Sequence, residues 1–468
     1  MTAYSERGRQ WIHIGSGLFA LLFRVLSGWQ AAAMAATALA FNALLLPRIG
    51  GKRIYRPVDH ARGFPLGILL YPASVLLLTL AFHTRLDIAA AAWGILAFGD
   101  GFATLIGRGR REKTGETAKR AAHKSFSANS ANSPVCSDRL PWNPDKSVAG
   151  TVAFIVFGSA AGVAMALWVR AAIAPMPPLL FSIAAPIAAA IIAALVETVP
   201  IGLDDNISVP AAAGLVLWTA SLMTPAPLHA ARAAALAALP WAIGVNALSG
   251  WLGYRARTVS ISGAIGGALV GSIIFVCGGA GAWLLLLLTF LVAAVTSRMG
   301  LAPKERLGIA EERGGRRGAG NAFANCGIAT LAAIAALTTP YRAEALLALV
   351  AALTAGGSDT VASEIGKAWG RSTFLVTTFS RVKPGTSGAM SFEGTAAGLL
   401  AALALATAGF ALGLIPVSAI LIVVVAATAG ALLESALGAT LEGPGILNND
   451  MLNFLNTAAA AAIAVALS

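Results

Sequence analysis

The sequence predicts an all-α fold, a polytopic helical integral membrane protein of about 15 transmembrane helices in two related halves. Three observations carry this prediction. Of the 468 residues, 57% are hydrophobic and only 12% are charged, with a mean hydropathy of +0.77. Apolar stretches near the ~20 residues that cross a bilayer recur from Ile12–Val25 to Met451–Leu467 and leave no room for a large soluble domain. The formal charge of +12 is concentrated in Arg48–Arg62, Arg108–Lys146, Arg298–Arg317 and Lys367–Lys383, all between apolar stretches. Lys and Arg in short loops mark the cytoplasmic face, so this charge reads as topology and not as nucleic-acid binding. It implies seven spans before about Met223, eight after it, and a cytoplasmic N-terminus. The first apolar stretch lacks a small-residue cleavage site and is expected to be retained. Cys136, Cys277 and Cys326 have neither disulfide nor zinc spacing.

The halves are delimited by Thr224–His229, where Pro225 and Pro227 separate two Ala-rich runs. This gives domains 1–223 and 230–468. Each half carries the same ordered pattern. Asp100-Gly-Phe-Ala-Thr-Leu-Ile-Gly107 precedes Ser147-Val-Ala-Gly-Thr151, and Asp359-Thr-Val-Ala-Ser-Glu-Ile-Gly366 precedes Ser391-Phe-Glu-Gly-Thr395. Both read D-x-x-A-[ST]-x-I-G, then S-x-x-G-T. Acidic landmarks follow in each: Glu197 with Asp204-Asp205-Asn206, and Glu434 with Asn449-Asp450.

An Asp at the centre of a span costs roughly 2.5–3.5 kcal/mol on insertion scales, so intramembrane acids are read as functional. Asp100 lies about 9–12 Å along its helix from the basic loop, within reach of a polar nucleotide. Thr104 shares its helix face, and Asp359 with Ser363 repeats the arrangement. A carboxylate and a hydroxyl so placed suit Mg²⁺ and a phosphate oxygen. The metal-ligand candidates are Asp100, Glu197, Asp359, Glu364 and Glu434. The catalytic candidates are Asp100, Asp205, Asp359 and Asp450, and the residues alone do not choose the base. Lys146, Ser147 and Thr151 at a helix start supply anion-binding groups, as do Lys383, Thr386 and Ser387 in the second half. Neither stretch has Walker A spacing. His13, Asn206 and Asn449 complete the nucleotide- and phosphate-binding candidates.

These residues also carry a family resemblance. Arg9-Gln-Trp-Ile-His-Ile-Gly15, Phe98 through Arg108, Lys146 through Thr151, and Glu197 through Asp205-Asn206 to Val209-Pro210 resemble the polyprenol kinase family that includes dolichol kinase and phytol kinase. The second half resembles the phytyl-phosphate kinase family in Asn246, Thr258–Gly266, Gly357–Gly366, Gly385–Gly388, Gly394, Glu434–Gly438 and Asn449–Asn453. The resemblance implies a fusion of two kinases that takes a prenyl alcohol (phytol, geranylgeraniol or similar) to its monophosphate and then to its diphosphate. It further implies CTP as donor, Mg²⁺ as cofactor, lipid substrates in the membrane, and sites facing the cytoplasm. The long, low-complexity loop between Gly107 and Lys146 departs from the family pattern. Two other functions use similar features: a lipid-phosphate cytidylyltransferase and a transporter with intramembrane acids.

The topology is directly testable. Cysteines placed in the loops of Arg56, Lys113, Arg313 and Lys383 are expected to resist an impermeant thiol reagent in intact cells. Labelling of any two of them from outside would overturn the positive-inside assignment.

Overall fold

A computed structural model describes residues 6–50, 66–107, 139–140, 143–199, 204–300, 316–444 and 446–468. The loop positions Arg56, Lys113 and Arg313 lie outside them, as does most of the Ser/Ala/Asn-rich stretch from Ala118. The chain forms two compact units, Met1–Ser221 and Leu222–Ser468.

In the N-terminal unit, α1 (Glu6–Gly17), α2 (Gly28–Ile49), α3 (Leu66–Ala81) and α4 (Leu86–Gly107) precede a hairpin of β1 (Arg139–Leu140) and β2 (Asn143–Ser147). Helices α5 (Val148–Arg170), α6 (Leu179–Thr198) and α7 (Asp205–Leu222) follow. The C-terminal unit runs through α8 (Pro225–Arg255), α9 (Ile261–Gly278), α10 (Ala280–Arg298), α11 (Ala319–Thr338) and α12 (Arg342–Trp369). A three-stranded sheet of β3 (Thr373–Leu375), β4 (Arg381–Val382) and β5 (Ala389–Ser391) has β3 at its centre. Then come α13 (Phe392–Ala411), α14 (Ala419–Glu442) and α15 (Asn449–Ala466).

Among the described residues, eleven helices are long and apolar enough to span a membrane. The difference from the expected count lies in four segments. The described parts of α1 and α3 are 12 and 16 residues, α1 continuing into a 3-10 helix over Leu18–Arg24. Helices α7 and α15 reach 18 residues but open on the polar pairs Asp205-Asn206 and Asn449-Asp450.

The helices carrying Asp100 and Asp359 form the two cores. Helices α4 and α12 are each 78% buried, and no other candidate span exceeds 44%. Between apolar helices in lipid the drive to associate is close packing, which favours small residues at the crossings. The repeated motif supplies them. In the N-terminal unit a methyl group at Gly150 would stand 3.2 Å from the Ala103 carbonyl oxygen, and one at Gly107 would lie 3.8 Å from Gly150 Cα. In the C-terminal unit a methyl group at Gly394 would meet the Ala362 carbonyl oxygen at 2.5 Å and Gly366 Cα at 3.1 Å. Ser147 and Ser391 each end a strand and cap the next helix, accepting the Gly150 and Gly394 N–H at 3.1 Å. The Thr151 and Thr395 hydroxyls bond back to the Ser147 and Ser391 carbonyls at 3.1 and 2.8 Å. D-x-x-A-[ST]-x-I-G with S-x-x-G-T is therefore a strand-to-helix cap locked against a core helix.

Gly394→Ala would press a methyl group into backbone, an overpacking worth about 1–3 kcal/mol. Its melting temperature in detergent is expected to fall by several degrees. Gly244→Ala, where nothing lies within 4 Å, is expected to leave it unchanged. Equal melting temperatures would show that the crossing does not hold the unit.

Candidate functional site

The acids of the N-terminal unit come from three separate helices. Asp100 ends a π-helical turn, Ile95–Asp100, inside α4. Glu197 lies in the last turn of α6, and Asp205 opens α7. One carboxylate oxygen from each lies within 4.8 Å of the other two, and among the described residues no other group of three acids, histidines or cysteines is this tight. Asp100 and Glu197 are buried.

Lys146, just before the Ser147 cap, reaches into this group. Its Nζ donates to Glu197 Oε1 at 2.6 Å and to Asp205 Oδ2 at 2.9 Å. Burial opposes the Lys146 charge, but Asp205 and Glu197 outweigh it and hold its pKa above the ordinary lysine value. The ammonium therefore stays charged at neutral pH. Asn143, four residues from Ser147 on the same strand, donates its Nδ2 to the Thr198 carbonyl at 3.0 Å. This bond ties the lysine's strand to the helix that carries Glu197.

On the other side of the group, His13 Nε2 stands 3.6 Å from Asp100 Oδ2 and 3.4 Å from the Leu96 carbonyl. Tyr71 packs on the imidazole with ring centroids 4.4 Å apart. Its hydroxyl accepts from Trp93 Nε1 at 2.7 Å and donates to the His13 carbonyl at 3.3 Å. These contacts fix α1 against α4 at the level of Asp100.

Five residues singled out in the sequence thus converge: His13, Asp100, Lys146, Glu197 and Asp205. Asn206 stands beside them but spends its Nδ2 on Asp204 Oδ1 at 2.6 Å, while its carbonyl accepts from Ser74. Ser147 and Thr151, expected at phosphate, serve the helix cap. Tyr71 and Asn143 carried no signal in the sequence.

The C-terminal unit arranges its acids more loosely. Asp359 and Glu434 lie close enough to repel each other, and Glu434 also feels Glu442. Glu364 is buried and pairs with Lys367 at 3.5 Å. The Lys367 charge also acts on Asp359 and Glu442. The cation facing these acids thus comes from α12 itself. Lys383, Thr386 and Ser387 lie in the turn between β4 and β5, where the Thr386 hydroxyl donates to the Lys383 carbonyl at 2.8 Å. Ser387 bonds Glu442 and the Gly438 carbonyl. Gly388, at φ +70°, lies where any side chain would strike the backbone at Ser435 and Ala439. The turn is thereby docked on the end of α14. Asp450 and the exposed Asn449 open α15, whose cap is the neighbouring Asn448. Lys367 and Glu442 were missed in the sequence. The available signal was a cation directly after the closing glycine of each repeat, Arg108 after Gly107 and Lys367 after Gly366.

The three oxygen donors of the N-terminal cluster suit a hard cation such as Mg²⁺. Such an ion would share Glu197 and Asp205 with the Lys146 ammonium.

Comparison with known proteins bears on the C-terminal unit first. The model of the integral membrane protein family DUF92 matches residues 244–461. An uncharacterized membrane protein of Synechocystis sp. (strain PCC 6803) is 42% identical over 200 residues, covering 42% of this chain and 78% of that protein. The Arabidopsis thaliana protein VTE6, chloroplastic, is 37% identical over 214 residues, covering 44% of this chain and 64% of its own length. A Methanocaldococcus jannaschii membrane protein is 33% identical over 203 residues, 43% of this chain and 83% of that one. No solved structure matches.

Lys146→Met is expected to destabilise the N-terminal unit by leaving Glu197 and Asp205 uncompensated. With Lys146 and Asp205 side chains 27% and 33% exposed, the loss should be about 2–3 kcal/mol, below the ~3–5 of a fully buried pair. That corresponds to roughly 5–10 °C in melting temperature, and adding Glu197→Gln should restore part of it. No change in Lys146→Met would mean the ion pair is absent.

Proposed function

The chain belongs to the integral membrane protein DUF92 family, and we propose that it phosphorylates a prenyl alcohol and then the resulting prenyl monophosphate, with CTP as donor. The N-terminal unit takes the first step and the C-terminal unit the second. One observation carries this reading: buried carboxylates and a lysine gathered at the ends of apolar helices, where a lipid's polar end meets a nucleotide's phosphates. The resemblances to polyprenol kinases and phytyl-phosphate kinases support it. So does the family membership, which rests on the C-terminal unit.

In the first step the prenol oxygen attacks the γ-phosphorus and forms a new P–O bond. The bond from that phosphorus to the β–γ bridging oxygen breaks, and CDP leaves. Asp100 or Asp205 accepts the hydroxyl proton, with His13 3.6 Å from Asp100. Lys146 stands where it can offset negative charge on the transferred group. A divalent cation held by Asp100, Glu197 and Asp205 would supply further charge neutralisation, the main demand of phosphoryl transfer besides in-line positioning. In the second step the acceptor is a phosphate oxygen, served by Asp359, Glu434 and Lys367.

The two steps should fail separately. Asp100→Asn is expected to leave prenol unphosphorylated while supplied prenyl monophosphate still becomes diphosphate, and Asp359→Asn to do the reverse. Each should cost on the order of 10² or more in its own step. Assays with radiolabelled CTP and phytol, geranylgeraniol or their monophosphates, with CDP scored as co-product, decide it. Loss of both steps in either folded variant would replace two sites by one. Release of pyrophosphate would replace the kinase by a nucleotidyltransferase.

A further inference from the structure

The C-terminal unit contains a partly open cavity of about 150 Å³ lined by α8 to α12 and by Val259, Arg317 and Gly318 between them. Its wall is mostly apolar and is made unusually thin by glycine. Gly250, Gly263, Gly267 and Gly356 all face it. At Gly267 a methyl group would meet nothing within 4 Å, because the space beside that glycine is the cavity itself.

The two ends differ in chemistry. At one end stand Arg317, Asn321 and Thr360, and Thr360 directly follows Asp359. The arginine's backbone is clamped: its N–H donates to the Thr258 carbonyl and its carbonyl accepts from Ser260 N–H, both at 3.0 Å. Arg317 Nη2 donates to Ser297 Oγ at 3.3 Å. At the far end Trp283 Nε1 donates to Asn246 Oδ1 at 2.9 Å and closes a floor. From Gly263 to Val270 along α9 the depth is about 10 Å. A mostly apolar pocket with a few convergent polar groups at one end fits a single-chain amphiphile.

We propose that this cavity seats the phosphate-proximal ~10 Å of the hydrocarbon tail of a lipid monophosphate, with the phosphate at Arg317, Asn321 and Thr360, and that the tail passes out of it through the space beside Gly267. The proposal rests on the kinase reading only for the identity of the lipid as acceptor. Thr360 puts the phosphate at the turn of α12 that carries Asp359, which does not itself line the cavity, and the tail runs into the bilayer interior along α9.

Binding tests it apart from turnover. Purified full-length protein is equilibrated without nucleotide with tritiated geranylgeranyl monophosphate or with the five-carbon dimethylallyl monophosphate. Gly267→Phe is expected to weaken the long ligand roughly tenfold or more and the short one much less, since misfit of a few methylenes in an apolar pocket costs that much. Gly244→Phe, at an exposed glycine with nothing within 4 Å, should bind both as wild type does. Arg317→Gln should weaken the monophosphate about tenfold and leave geranylgeraniol unchanged. Undiminished binding of the long ligand by folded Gly267→Phe would overturn the proposal. An Arg317→Gln effect confined to CTP would overturn its phosphate end, and a wild-type protein that bound none of the lipid phosphates would overturn all of it. Binding as expected without CTP-dependent turnover would leave the cavity assigned and remove the kinase reading.

Discussion

The structure depends on one contact, the approach of glycine to backbone where a strand turns into a helix beside each core helix. In lipid a helix gains little by hiding apolar side chains from its neighbours, and close approach through small residues takes over that role. Gly107 against Gly150, and Gly366 against Gly394, bring the cap of α5 or α13 within reach of α4 or α12. That approach sets the level of the acids. Asp100 and Asp359 lie seven residues before Gly107 and Gly366, about two turns along the same helix. Lys146 directly precedes the capping Ser147. Packing and chemistry are therefore coupled, since a bulkier residue at Gly150 would press on the strand end that carries Lys146.

The second constraint is charge. Three carboxylates gather in a partly buried place, where like charges repel strongly, with the Lys146 ammonium and His13 against them. Added positive charge or protons stabilise such an arrangement. A cation travelling with a nucleotide's phosphates meets that need, and the cluster is then a receptor for it. The Asn143 bond to Thr198 and the Tyr71 contacts to His13 hold the group open from two sides.

Much of this was legible in the sequence, for physical reasons. Intramembrane acids are scarce, so Asp100, Glu197 and Asp205 stood out, and the N-terminal unit gathers them. The strand-to-helix repeat was visible because small residues at crossings tolerate few substitutes. What it does was not visible. Ser147 and Thr151 read as phosphate ligands because a hydroxyl at a helix start serves an anion and a cap equally well. Tyr71 and Asn143 sit in unremarked stretches and matter only through the tertiary contacts they make. Lys367 was hidden among other basic residues that read as topology, since positive-inside charge and site charge look alike in sequence. Whether α1, α3, α7 and α15 also cross the membrane is not legible from length and composition, because each is helical and largely apolar but brief or polar at one end among the described residues.

The difference between the two sites bears on the order of the proposed steps. An alcohol acceptor is neutral and must lose a proton as it attacks, so its site needs a carboxylate able to take one. A phosphate monoester already carries about −1.5 to −2 charges at pH 7. Its nucleophilic oxygen needs no base, and its approach to a nucleotide's phosphates is opposed by repulsion. That site needs cations around the acceptor more than it needs acids. The N-terminal unit has the tight carboxylate group with Asp100 facing His13. The C-terminal unit has looser acids, the Lys367 charge acting on Asp359, and Arg317 at the polar end of the cavity. The tight carboxylate group suits the proposed alcohol acceptor, and Lys367 with Arg317 suits the proposed phosphate acceptor, an assignment that follows from acceptor charge.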